Sequence, residues 1–244
     1  MRITILTLFP EMFTGFLNTS IIKRILDKGI AEFKIVNIRD YSLDKHRHVD
    51  DTPYGGGAGM LMRVDVLHRA LLANCAQDAH VLLTSPKARP FKQEDARRFA
   101  AMKELVVVCG HYEGVDHRFE KYCDEKFSLG DFVLTGGELA AMVLSDAVLR
   151  LLDEGISADS LNEESYTDGL LEYPQYTRPY EYEGAVVPEV LTNGNHALIR
   201  KYNLKTALKE TLLYRPDLLE KKDLTAEEAK LLEEVKDELS ADHV

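Results

Sequence analysis

Tryptophan is absent from this 244-residue chain, and cysteine occurs only at Cys75, Cys109 and Cys123. The odd number and the lack of C-x-x-C spacing argue against a disulfide framework or a structural zinc site and fit a reducing cytoplasm. No run approaches ~18 apolar residues, so no membrane-spanning helix is expected. Arg2 and the apolar residues 3–9 lead into Pro10 and Glu11 without a small-residue cleavage site, unlike a secretory leader. The common phosphate fingerprints are missing too. G-x-x-x-x-G-K-[ST] does not occur, and in the run TPYGGGAGM (52–60) Met60 stands where G-x-G-x-x-G needs its last glycine. A P-loop nucleotidase and a standard dinucleotide enzyme are thereby disfavoured. No Ser/His/Asp or Cys/His arrangement is apparent from spacing, and there is no internal repeat or low-complexity segment. What is present is ordinary: 45% apolar and 29% charged residues, the composition of a soluble globular protein.

The net charge of −11 argues at first against a polyanionic partner, but its distribution alters that reading. Residues 1–150 are neutral, with 20 Lys+Arg against 20 Asp+Glu. Residues 151–195 carry net −9, residues 196–215 net +4, and residues 216–244 net −6. One short basic segment lies between two acidic ones, so a nucleic-acid site is permitted without being demanded.

The first 150 residues alternate short apolar runs with helical patterns. The patterning predicts strands over 3–9, 33–38, 80–83, 105–109 and 126–134, and helices over 21–26, 64–72, 93–102 and 137–152. A charged, glycine-containing loop fills 40–59. Strands spaced by helices imply βαβ units and a mostly parallel sheet covered on both faces. From 153 to 195 the periodicity disappears; the stretch is acidic, holds Pro174, Pro179 and Pro188, and reads as a linker or an ordering loop. Two helices follow. Asn195 is placed to cap the first, which runs to Tyr214 ahead of Pro216. Thr225 and Glu228 form a capping box for the second, which sets Leu231, Leu232, Val235 and Leu239 on one face. The fold class is therefore α/β with a mostly parallel sheet, followed by a small helical C-terminal domain.

Three segments of the first domain share a chemical feature. Strand 80–83 runs into Thr84, Ser85 and Pro86; strand 105–109 runs into Gly110, His111, Tyr112, Glu113 and Gly114; and the segment 128–139 holds Gly130, Gly136 and Gly137. Ligands of open α/β sheets sit outside the carboxyl ends of the strands, and glycine lets the backbone approach them. Ordinary turns explain any one of these segments, but three within 60 residues point to a nucleotide-like small molecule. Other residues have plain structural explanations. Glu113 could pair with Arg118, Arg150 with Asp146 one helical turn earlier, and Asp168 precedes Gly169 as in an ordinary turn. His46, His48, Asp50 and Asp51 are possible metal ligands, yet such a mix is more often a solvated polar turn. Lys201, Lys205 and Lys209 form one stripe beside Leu204, Leu208 and Leu212. A cationic stripe is usually a solvated face, and its setting in an otherwise acidic chain raises the case for phosphate contacts.

The runs LFPEMF, HRHVDDTPYGGGAGM, CGHYEGVD, SLGDFVLTGGELAAM, DGLLEYPQYTRP and GNHALIR, in this order, resemble the bacterial tRNA (guanine-N1)-methyltransferases of the SPOUT class. The resemblance covers nearly the whole chain. It implies a catalytic domain over 1–160 with a deep trefoil knot, an exception to the rule against threaded loops. It also implies an interdomain linker over 161–180 and a helical tRNA-binding domain over 181–244. S-adenosyl-L-methionine is then the methyl donor, held by Ser85, Pro86, Gly110, Tyr112, Glu113, Gly114, Leu134, Gly136 and Gly137. The partners implied are the tRNA anticodon loop and a second copy of the chain, with each active site at the interface of a homodimer. No membrane partner is implied, and the location is cytoplasmic. Mg2+ is allowed by the resemblance but specified by no ligand set in the sequence. Three positions depart from the family pattern: His111 stands where Arg is common, Ala88 where Gly is, and Ala140 where Pro is.

The resemblance also implies a mechanism. N1 of guanine carries a proton at neutral pH, so methylation there needs a base and a group that stabilises charge on O6. Asp168 takes the first role and Arg150 the second, while Lys201, Lys205 and Lys209 contact tRNA. Two other readings compete. One is a methyltransferase of the same class acting on another RNA or base; the other is a non-catalytic RNA- or nucleotide-binding protein that keeps the fold.

Overall fold

The computed structural model describes residues 1–152 and 165–241, and the chain divides into two compact units, Met1–Ser157 and Ala158–Val244. The predicted domain boundary at 160/161 lies outside the described residues. Among them, no helix is long and apolar enough to cross a membrane.

The first unit is built on β1 (Arg2–Thr7), α1 (Phe13–Leu17), α2 (Ser20–Asp27), β2 (Glu32–Asn37), β3 (Asp50–Asp51), β4 (Leu61–Met62), α3 (Val64–Asn74) and β5 (His80–Thr84). It continues with α4 (Gln93–Ala100), β6 (Glu104–Val108), β7 (Glu125–Phe127) and α5 (Glu138–Leu149). Five strands form one parallel sheet in the order β2-β1-β6-β5-β7, with Ile3 beside Phe33 and Leu105, Val81 beside Val106, and Leu83 beside Lys126. The predicted α/β architecture is present.

Alternation along the strands explains why both faces are covered. Ile3, Ile5, Leu82, Leu105 and Val107 bury against Phe13, Ile25, Phe99 and Leu144 of α1, α2, α4 and α5. Their neighbours Leu6, Val81, Leu83, Val106 and Val108 bury on the opposite face against Val66 and Leu67 of α3 and against Phe119. Each such side chain contributes about 1.5–3 kcal/mol by leaving water, so the sheet forms a rigid floor for the loops at its carboxyl end.

The predicted strand over 126–134 is mostly absent. β7 stops at Phe127 because Ser128 turns the chain: its hydroxyl donates to the Gly130 carbonyl at 3.0 Å and accepts the Gly130 amide at 3.2 Å. Phe132, Val133 and Leu134 are consequently exposed rather than paired.

The second unit contains α6 (His196–Tyr214), α7 (Pro216–Leu219), α8 (Ala226–Ala241) and a short hairpin, β8 (Glu181–Tyr182) with β9 (Ala185–Val186). Both predicted caps are formed. Asn195 accepts the amides of Ala197 and Leu198 through its side chain, and Thr225 and Glu228 exchange hydrogen bonds at 2.7 and 3.2 Å. Leu208, Leu231 and Leu232 form the core, as the helical spacing predicts. Leu170 and Tyr173 join it from the stretch 161–180, and the Leu171 amide donates to Thr211 Oγ1 at 2.9 Å.

Candidate active site

The loops after β5 and β6 and the loop before α5 are sewn together by short polar contacts. The Gly110 amide donates to Thr84 Oγ1 at 2.9 Å, and the Gly137 amide donates to the Gly110 carbonyl at 2.7 Å. His111 and Gly136 pair as an isolated antiparallel bridge. A Cβ at Gly137 would lie 2.0 Å from Thr84 Oγ1 and 2.9 Å from both Cys109 Cα and Gly110 N, so only glycine fits there. From the other side, β4 and the glycine-rich run support the loop: the Glu113 amide donates to the Met60 carbonyl and the Met62 amide to the Gly114 carbonyl. Tyr112 has φ +58° and Gly114 φ +114°, which turns the chain back over the strand ends.

These loops enclose a cavity of about 420 Å³. All nine residues expected to bind the cofactor line it: Ser85, Pro86, Gly110, Tyr112, Glu113, Gly114, Leu134, Gly136 and Gly137. Its wall combines exposed apolar surface on Phe132, Val133 and Leu134 with polar groups on Ser85, Tyr112 and Glu113. This mix of apolar lining with a few polar groups is that of a small-molecule site, and the glycines leave a cradle into which any side chain would intrude. The arrangement fits S-adenosyl-L-methionine, with apolar wall for an adenosine and Glu113 for its positive charge.

Glu113 does not pair with Arg118. The Arg118 guanidinium is held by Asp116 at 2.7 Å, and this hydrogen bond keeps the Asp116 carboxyl below the usual carboxylate range. Gly59 seats Glu113 instead, since a Cβ there would lie 2.4 Å from Glu113 Cγ. Cys109 lies beneath the cavity, but burial, with Glu138 nearby, pushes its thiol well above the ordinary value, so it offers no thiolate nucleophile. The run around His46 and His48 is a hydrogen-bonded turn, with His48 Nδ1 3.0 Å from Asp44 Oδ2.

The other predicted residues lie elsewhere. Arg150 caps the C-terminus of α5 and lines a second cavity with Phe16, Met142 and Asp146. Asp168 belongs to the helical unit, in an exposed turn where Lys222 Nζ donates to its backbone carbonyl at 2.7 Å and Gly169 takes φ +76°. On α6, Lys201 is exposed and Lys209 half-buried. Lys205 is a different case, because its ammonium donates to Glu238 at 2.6 Å and Glu234 at 3.2 Å on α8. Sequence reasoning placed Thr84 in a candidate loop without a role, and missed the roles of Thr7, Gly59 and Glu138. For Thr7 and Glu138 the available signal was a polar residue at the end of an apolar strand and at the start of an apolar helix.

A parallel sheet with glycine-bearing loops closed over its strand ends defines an α/β protein that holds a nucleotide-like small molecule. Residues 1–221 match the family model described as tRNA (Guanine-1)-methyltransferase TrmD. A protein of Dictyoglomus turgidum named tRNA (guanine-N(1)-)-methyltransferase is 50% identical over 240 residues, covering 98% of each chain. The proteins of the same name from Lactobacillus helveticus and Syntrophomonas wolfei are 51% and 52% identical, covering 98% and 96% of this chain and 100% and 97% of theirs. The chain belongs to the tRNA (guanine-N1)-methyltransferase family, and it is a methyltransferase that uses S-adenosyl-L-methionine as donor.

Proposed function

We propose that the protein transfers a methyl group to N1 of the guanosine 3′ of the tRNA anticodon, position 37, with Asp168 as general base and Arg150 stabilising O6. The observation that carries this reading is the convergence of the nine residues expected from the resemblance on one cavity in a chain of this family. When bound in that cavity, the sulfonium supplies an electrophilic methyl group and departs as a neutral thioether. Ser85, Tyr112, Glu113, Leu134 and the surrounding glycines hold and orient it. The protein's own task is the proton on N1. As N1 takes the methyl group, that proton would pass to the Asp168 carboxylate while Arg150 would balance the charge building on O6. The exposed Asp168 carboxylate on a backbone-anchored turn supports this role, because it is free to meet a base splayed out of an RNA loop.

Residues 1–160 would act as the knotted catalytic domain, residues 161–180 as a linker, and residues 181–244 as the tRNA-binding domain. A homodimer would complete each active site, and the exposed Leu139 and Val143 on α5 support such an interface. Lys201 and Lys209 would meet the tRNA backbone, whereas Lys205 is neutralised by Glu234 and Glu238. The protein acts in the cytoplasm, with its tRNA substrate.

The test is methyl transfer from labelled S-adenosyl-L-methionine to unmodified tRNA carrying G or A at that position. Label appears on N1 of the guanosine alone, and Asp168→Ala lowers turnover by about 10²–10⁴-fold while tRNA binding persists. Unchanged turnover in Asp168→Ala refutes the base assignment. Label at another nucleotide moves the substrate.

A further inference from the structure

Beside the cavity, with His111 in its wall and Glu138 buried behind it, lies a polar pair that the reaction described above does not use. His111 follows Gly110, and its Nδ1 is buried with no hydrogen-bond partner among the described residues. It lies 3.9 Å from Oε2 of Glu138, the first residue of α5, whose side chain is 2% exposed. Glu138 Oε1 accepts the Thr7 hydroxyl at 2.8 Å, so one oxygen of this buried carboxylate is satisfied and the other faces the imidazole. The ring has little lateral freedom, because Phe9 packs 4.8 Å from it and Tyr112 meets it edge-on at 4.9 Å. Gly136 fills the corner between the two groups, where a Cβ would lie 2.4 Å from Nδ1 and 2.5 Å from Oε2.

We propose that His111 and Glu138 form a titratable clasp that holds the two glycine-bearing walls of the cavity, 110–114 and 134–137, in their cofactor-binding geometry. His111 is thus a positioning residue, and the proposal rests on the assignment of this cavity to S-adenosyl-L-methionine. With both ring nitrogens protonated, Nδ1–H donates to the buried carboxylate, and a charge-assisted bond draws the pair to about 2.8 Å. A neutral ring either donates without charge or, in the other tautomer, turns a lone pair toward Oε2. The walls then lose this side-chain tie and keep only the backbone contacts between Gly137 and Gly110 and between His111 and Gly136. Imidazole changes charge within the physiological range, so the clasp loosens as pH rises.

Among the described residues, Glu138 carries the only carboxylate within 4.0 Å of the ring nitrogens. The end of β1 presents Thr7 and Phe9, which carry no charge, and the Cys109 thiol stays protonated. Tyr112 and Glu113 flank the ring on its own loop, and His117 and Glu120 line the same cavity. The last pair lie 3.4 Å apart and are unchanged in the His111 variants.

The experiment is calorimetric titration of the full chain with S-adenosyl-L-homocysteine between about pH 5.5 and 8.5, a window spanning imidazole titration. Wild type, His111→Arg and His111→Asn are compared. The ligand's own amino group titrates near pH ~8, and the Arg variant, with a permanent cation, reports that background together with His117. Wild-type affinity falls about five- to tenfold more than that of His111→Arg across the window. His111→Asn binds weakly at both ends. Amide resonances of Gly110, Gly114 and Gly136 are followed on ligand addition. If they do not move, the cavity is not the cofactor site and the underlying assignment fails. If they move but wild type and His111→Arg share one pH slope, the site stands and the clasp is refuted.

Discussion

Replacement of Gly137 by alanine tests the packing at the centre of the cofactor cradle. Gly137 has φ −83° and ψ −6°, a conformation open to alanine, so any penalty arises from contact rather than backbone strain. The added methyl would lie 2.0 Å from Thr84 Oγ1 and 2.9 Å from two backbone atoms, Cys109 Cα and Gly110 N. Thr84 is buried at the end of a central strand, and Gly110 is tied to Gly137 itself by a 2.7 Å hydrogen bond, so neither neighbour moves freely. Overpacking of this kind costs about 1–3 kcal/mol. Displacing the Thr84 hydroxyl leaves the Gly110 amide unpaired, a further ~1–3 kcal/mol. The expected loss is therefore about 2–6 kcal/mol, a large part of an ordinary domain's stability. Urea unfolding followed by circular dichroism measures it. Gly15→Ala is the control: Gly15 lies within α1 with nothing within 4 Å of its added Cβ. That variant is about 0.5–1 kcal/mol more stable than wild type. A Gly137→Ala midpoint within about 0.5 kcal/mol of wild type refutes the close-approach argument.

Two other predictions rest on charge. Reversing Lys201 and Lys209 to Glu reduces the salt slope of tRNA binding by about 1–2, whereas Lys205→Glu changes it little, because Glu234 and Glu238 already match that charge. Equal slope changes for all three variants would show that the α8 carboxylates leave Lys205 available to phosphate. Asp95, at 5% side-chain exposure, is held down to about 2 chiefly by the Arg89 hydrogen bond, with Arg98 and the Lys92 amide adding to it. Its folded-state value lies below the ordinary aspartate value of 3.8, so the stability it contributes is present above that pH and is lost as pH falls toward 2. The shift corresponds to about 2 kcal/mol. Asp95→Asn is accordingly less stable than wild type at neutral pH, and the gap closes between about pH 4 and 2. A gap constant over that range in urea titrations would refute the assignment.

The extent to which the sequence discloses this molecule depends on how local each signal is. Strands β1, β5 and β6 are legible because both faces are buried, which writes an uninterrupted apolar run. The caps at Asn195 and Thr225 are legible because capping is settled within three residues. The hairpin β8–β9 was missed, since its reversal over Glu183 and Gly184 carries positive φ at both positions but no Asn-Gly or Asp-Gly signature. The overlong strand at 126–134 misleads for the opposite reason: Phe132, Val133 and Leu134 are apolar without being core. Their exposure at the cavity accounts for apolar residues outside any sheet.

The same distinction governs the site. The three loops that carry the proposed cofactor residues follow from fold logic, since strand ends and glycines mark them before any geometry is known, whereas the individual residues rest on the family resemblance. Glu138 illustrates what local patterning cannot reveal. A carboxylate opening an apolar helix reads as a helix N-terminal charge, and in part it is one. Its burial, however, follows from a hydroxyl 131 residues earlier in the chain, Thr7 on β1, and from an imidazole on the loop after β6. A buried carboxylate without such partners would cost more than the helix dipole returns. The chain retains it where the two glycine-bearing walls meet, adding a side-chain contact to the backbone bond between Gly137 and Gly110. Thr7 fixes one oxygen, and the second is left toward the His111 imidazole, a ring that can change its charge.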